Sequence, residues 1–231
     1  NGAGVWEKPL KFCVSLALHF FTLAALAQLL SRERRTRPVL HAVSLLSAAA
    51  AAFEIAYVAI QAARGRRSHF NFETPFEIQM YAAMGVGAVI LVLVAFVLGV
   101  AIASEKSAPP SGLRSGAVLG LAVGAVLTLV VAGTMSASGS HYAGAPNLGG
   151  PSDAGGLPLF GWSTTEPDLR PAHFVALHMM QALPVIGWIF DRIAPRAARG
   201  VVLAACVVLS LFSLGLFALA LAGVAPLGVL G

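Results

Sequence analysis

Charge is what this sequence has least of. Only 11% of its 231 residues are Asp, Glu, Lys or Arg, while 58% are hydrophobic. A soluble domain carries about 25% charged residues, because its whole surface faces water. The shortage excludes an ordinary soluble domain, and a mean hydropathy of +0.82 points to a chain dissolved in lipid. Cysteine is scarce as well. Cys13 and Cys206 each sit in an apolar run, which disfavours a structural disulfide, and no C-x-x-C-H is present to attach a haem covalently. There is no G-x-S-x-G, H-E-x-x-H or phosphate-binding Gly-Lys-Ser/Thr loop, so neither a motif-bearing hydrolase nor an NTPase is supported. Gly85-Val86-Gly87 lies inside an apolar run without the strand and turn of a dinucleotide fold. The arginine cluster Arg32, Arg34, Arg35 and Arg37 lacks interleaved aromatics, so nucleic acid is not an expected partner despite the net charge of +5.

What is present is long apolar runs. Six of them, near 9–30, 38–63, 77–103, 116–135, 172–190 and 201–228, have the roughly 20 residues that cross a bilayer. The expectation is an all-α, polytopic transmembrane helix bundle, one integral membrane domain over 1–231, in contact with a lipid bilayer. No signal-peptide pattern opens the chain, so 9–30 reads as a true span. The third span opens Thr74-Pro75-Phe76-Glu77, an N-cap, a proline at the first helical position and a glutamate placed to close a capping box. Gly112, Gly116, Gly120 and Gly124 recur every four residues, a ridge that lets a second helix approach closely.

Nine of the 15 Lys and Arg fall in the first, third and fifth connections. By the excess of positive charge on cytoplasmic loops, those connections are inside. The termini and the fourth connection, residues 136–171, are then outside. That connection is long and rich in Gly and Pro, and its Phe160 and Trp162 predict a folded cap on the membrane surface.

Polar residues inside spans carry the functional information, because an acidic group at mid-helix costs roughly 2.5–3.5 kcal/mol on insertion scales. Glu54 is such a group. Tyr57, Gln61 and Arg64 follow it at helical spacing and Ser47 precedes it by seven, so one side of the second span is polar from its centre to the outer surface. The row reads as the lining of a site or wet cavity, or else as polar glue between helices. His69, His141, His173 and His178 map to the same outer side, with Gln181 one turn beyond His178. His173 and His178 point about 140° apart on an ideal helix, which counts against their sharing a metal unless the first turn is irregular.

Two stretches, Ala63 to Asn71 followed by Thr74-Pro75-Phe76, and Leu169 to His178 through Gln181 to Pro184, with Lys8-Pro9-Leu10-Lys11-Phe12, resemble an uncharacterised bacterial multi-pass membrane family. The resemblance implies a helical fold and a further helix upstream of Asn1, and no activity.

Three functions compete. The first is a redox or electron-transfer protein of the bacterial inner membrane. It holds haem b or a transition metal (copper, iron or zinc) near the outer leaflet. His69, His141, His173, His178 and Glu54 are its metal ligands, with Arg64, Tyr57, Gln61 and Gln181 against the cofactor. The second is a non-catalytic subunit of a larger membrane complex or homo-oligomer, in which polar residues serve packing. The third is a proton-coupled transporter that uses Glu54, Tyr57, Gln61 and His178 as a relay.

Overall fold

A computed structural model describes residues 4–106, 109–144, 156–157 and 160–229. Seven helices follow in order: α1 (Glu7–Ala27), α2 (Arg32–Arg35), α3 (Pro38–Ala63), α4 (Pro75–Ala103), α5 (Gly112–Ser138), α6 (Arg170–Ile193) and α7 (Ala198–Leu221). All except the four-residue α2 are long and apolar enough to cross a membrane. Even α1, at 21 residues, is about 31 Å long, the thickness of a bilayer core. Among the described residues no strand forms; a single antiparallel bridge joins Tyr142 to Asp168. The protein is a polytopic helical bundle, and large apolar side chains such as Phe21, Leu45, Val86, Val208 and Leu211 stay exposed on its flanks, where lipid would meet them.

The spans match the apolar runs within a few residues, with one larger departure. The last helix stops at Leu221, not near 228, because the chain turns at Gly223, whose φ of +77° is left-handed and breaks the helix. At the other termini the local chemistry is visible. Thr74 accepts a hydrogen bond from Glu77 N at 3.3 Å and Ser111 accepts one from Arg114 N at 3.1 Å, as N-caps do. Asp191 near the end of α6 accepts from Gly112 N and Leu113 N at 2.6 and 2.8 Å. It thus places a carboxylate on the positive end of α5. Pro184 lies inside α6 and the helix continues through it.

Packing is ordered by α5, the most buried span at 44% against 22–33% for the others. It packs on α4, α6 and α7, while α3 packs on α4 and α1. The glycine ridge is spent within the bundle, against α6. A Cβ on Gly120 would lie 2.5 Å from the Met179 carbonyl oxygen, and one on Gly124 2.9 Å from that of Ala176. At Gly112 the neighbour is the Gly187 carbonyl. Only a missing side chain permits helices this close.

Alternation of the spans brings the beginnings of α1, α4 and α6 and the ends of α3, α5 and α7 to one side, called here the loop face. The opposite side, the arginine face, carries α2. There Ser31 N donates to Glu105 Oε2 at 2.9 Å, and Arg34 donates to Ala101 O and Ser104 Oγ at 3.1 and 2.8 Å.

Candidate functional site

The polar row of α3 faces inward. Ser47, Glu54, Tyr57 and Gln61 are all buried, between 0 and 5% exposed, and the side they share is the one that packs on α1 and α4. At the loop face the row opens into a network. Gln61 Nε2 donates to Tyr57 Oη and to Arg67 O, both at 3.0 Å, and Arg64 donates to Gln61 Oε1 at 2.8 Å. Glu77 of α4 completes it: Arg66 donates to its Oε1 at 3.0 Å, with Gln61 Nε2 at 3.5 Å and Arg64 at 3.9 Å.

Glu77 therefore does something other than close a capping box. Its backbone N–H is capped by Thr74, but its side chain, 1% exposed, turns to the loop between α3 and α4 instead of back to Thr74. A charge-assisted bond from Arg66, together with Gln61, holds it more strongly than a return bond to one backbone amide would. The same pairing raises Arg66 above the ordinary guanidinium value. Sequence reasoning missed Glu77 as a network member. The three arginines ten to thirteen residues before it were the available signal.

Glu54 stands two turns deeper. It is 3% exposed, and its Oε1 has no hydrogen-bond partner. It lies against Gly87 of α4, where a Cβ would come within 2.8 Å of that oxygen. Glycine is what makes room there for the carboxyl. Lys8 of α1 is the cation that acts on it electrostatically.

The histidines occupy separate surroundings. His69, in the loop after α3, is ringed by Phe12 at 5.3 Å and Tyr81 at 6.3 Å, with its Nδ1 3.2 Å from Ser68 Oγ. Burial first, then the charges of Lys8 and His141, hold its imidazole well below the ordinary 6.5. Phe70 follows with a left-handed φ of 52°, and its ring meets the His141 ring edge-on at 4.8 Å. His173 lies in the first turn of α6 and interacts electrostatically with His178. His178 stacks on Phe174 at 3.9 Å, its Nδ1 2.9 Å from the Phe174 carbonyl. Phe174 also carries Trp162 and Phe160 of the long connection. The two rings expected in a cap thus pack on α6; residues 145–155 and 158–159 of that connection are outside the described part.

No family model, curated protein or solved structure matches this chain. Its chemistry rests on geometry alone.

That geometry separates the expected ligands. Glu54 belongs to the interface of α3 with α4 and α1, His69 and His141 to the aromatic cluster at the loop face, and His178 to the face of α6 that holds Phe174. Among the described residues no three of His, Cys, Asp and Glu stand close enough to hold one metal ion. Gln181 is tied elsewhere again: its Nε2 donates to Thr22 Oγ1 of α1 at 3.2 Å. Arg64, Tyr57 and Gln61 do come together as expected, around Glu77 and not around a histidine.

Proposed function

We propose that this protein is a proton transporter in which Glu54 takes up and releases a proton reaching it from the loop face along α3. The observation that carries this reading is the Glu54 carboxyl. It is buried at mid-span with Oε1 unpartnered and faces a glycine that clears space for it. A carboxyl serving only as glue would be paired with the neighbouring helix, since leaving a buried acceptor unmade costs about 1–3 kcal/mol. An ionisable side chain retained within a span is by default a functional group. Tyr57, Gln61, Glu77 and Arg66 then continue from Glu54 to the surface as groups that accept or donate hydrogen bonds. His178, which the sequence grouped with this relay, is not part of it in this form.

In this reading the protein belongs to a bacterial inner membrane, with its arginine face in the cytoplasm by the distribution of positive charge. The relay opens outside, so protons enter from the outer surface.

The test uses the purified chain in liposomes that hold a pH-sensitive dye, with a potassium diffusion potential to drive protons inward. Wild-type vesicles acidify faster than empty ones. Glu54→Gln slows this by roughly 100-fold, the scale on which a positioned proton-transfer group contributes, and Glu54→Asp keeps part of the rate. Wild-type vesicles no faster than empty ones refute the reading.

One observation favours a metal or haem b protein as a second reading. His69 and His141 flank the strained Phe70, and the burial of His69 favours the neutral imidazole that binds metals. Elemental analysis and a visible spectrum of the isolated protein decide it. Stoichiometric copper, iron or zinc, or a Soret band, lost on His69→Phe, would establish this reading in place of the first.

A further inference from the structure

Two polar residues at the middle of α1 and α5 belong to neither arrangement. His19 stands on α1 and Thr128 on α5, 8 and 2% exposed. His19 Nε2 and Thr128 Oγ1 are both buried and have no hydrogen-bond partner. Both residues line the same cavity, together with Ala95 of α4, Gly124 of α5 and Leu177 and Met180 of α6. An unpaired imidazole nitrogen and an unpaired hydroxyl, each inside an apolar bundle, both carry the penalty of a buried polar atom left without a partner. Two such groups sharing one cavity point to a common partner.

The cavity has about 10 Å³ of room for a water's centre, close to the least that holds one water and too little for any larger solute. A buried water needs two to four polar partners, and the two orphaned atoms meet the lower bound. The remaining lining is apolar, so the water's place is fixed by His19 and Thr128 alone. Nearby, Thr22 Oγ1 donates to Leu18 O at 2.7 Å and accepts from Gln181. Its hydroxyl is thereby satisfied without the cavity.

We propose that His19 Nε2 and Thr128 Oγ1 hold one ordered water in the middle of the bundle, making a second protonatable centre, distinct from Glu54. The water donates one O–H to Nε2 of the neutral ring and exchanges a hydrogen bond with the Thr128 hydroxyl. When a proton arrives, it goes to Nε2, and the new N–H donates to the same water oxygen. The arrangement joins α1 to α5 across a cavity that α4 and α6 complete, and it does not require that the α3 row conduct protons.

The test is solid-state NMR on the full chain in lipid bilayers with ¹⁵N-labelled histidine, the His19 signals being those lost in His19→Gln. Magnetisation passes from water protons to His19 Nε2 in the wild type. It falls to the His19→Gln background in Thr128→Val, which keeps the shape and removes the hydroxyl, and persists in Thr128→Ser. Should Thr128→Val fail to fold, Ala95→Val fills the cavity and produces the same loss. Absence of transfer in the wild type overturns the proposal. So does transfer that Thr128→Val and Ala95→Val leave intact, or that Thr128→Ser abolishes. Vesicle acidification is not read in this experiment, so the water site and the α3 relay stand or fall separately.

Discussion

His69 shows what one imidazole does to stability when its surroundings refuse a charge. Phe12, Tyr81 and Ser68 enclose it, and Lys8 adds a positive field. The folded chain keeps His69 neutral to well below 6.5, the value it regains on unfolding. Between those two values the unfolded chain binds a proton that the folded chain does not, so stability falls as pH falls through that window. The contribution is whole above about pH 6.5 and drains away below it. The unfolding midpoint in mild detergent is accordingly expected to drop from about pH 8 to about pH 5, the range in which histidine titrates, and His69→Phe is expected to flatten part of that drop. An unchanged slope in the variant would place the titration elsewhere. Single residues were legible to different degrees. Glu54, Tyr57, Gln61 and Arg64 could be assigned to one face because helical spacing is a local property. Glu77 could not be joined to them, because its partners lie across a loop whose path spacing does not reveal. His19 and Thr128 are lone polar residues on spans far apart in sequence, and nothing in either span marks them as neighbours.

Among the helices, Gly116 and Gly87 differ in a way that sequence spacing alone does not reveal. Gly116 belongs to the α5 ridge, and an added methyl there would overlap the Leu183 carbonyl and the backbone beside Pro184. Backbone cannot yield without moving α6, so Gly116→Ala is expected to destabilise the bundle by about 3 kcal/mol, the upper part of the range for overpacking. Gly87 stands in the middle of α4, and its added methyl would meet only the Glu54 carboxyl, the end of a flexible side chain. Alanine is the better helix former by about 1 kcal/mol, so Gly87→Ala is expected to leave the unfolding midpoint near wild type or slightly above it. The displaced carboxyl should nevertheless slow vesicle acidification. Measured side by side, a large loss of stability in Gly116→Ala with intact stability and reduced flux in Gly87→Ala is the expected result. The ridge was legible because its period of four matches a helix face. The role of Gly87 was hidden by an apolar run in which a glycine reads as ordinary packing.

Across the whole molecule, two ends of unlike chemistry are separated by the thickness of a bilayer. The six spans and their order were legible because twenty apolar residues have few other fates in water or lipid; which helix packs on which was not, since an apolar side chain suits lipid and the bundle interior alike. That explains how Glu54 and His178 could be expected to share a pocket when α3 packs on α4 and α1 and α6 chiefly on α5 and α7. Direction matters to function in a way that packing does not. If protons reach Glu54 past Arg66 and Glu77, the side on which that network opens decides whether the protein draws protons from outside or inside the cell. Glu73, beside the network, and Glu33 on α2 are well placed to report it, their side chains being 63% and 83% exposed. In a chain with Cys13 and Cys206 replaced by alanine, Glu73→Cys is expected to react with a membrane-impermeant maleimide on intact cells whose outer membrane has been removed. Glu33→Cys should react only after lysis. The opposite pattern would invert the molecule, place the α2 arginines outside against the usual charge bias, and make the relay an inward-opening one while leaving its chemistry at Glu54 unchanged.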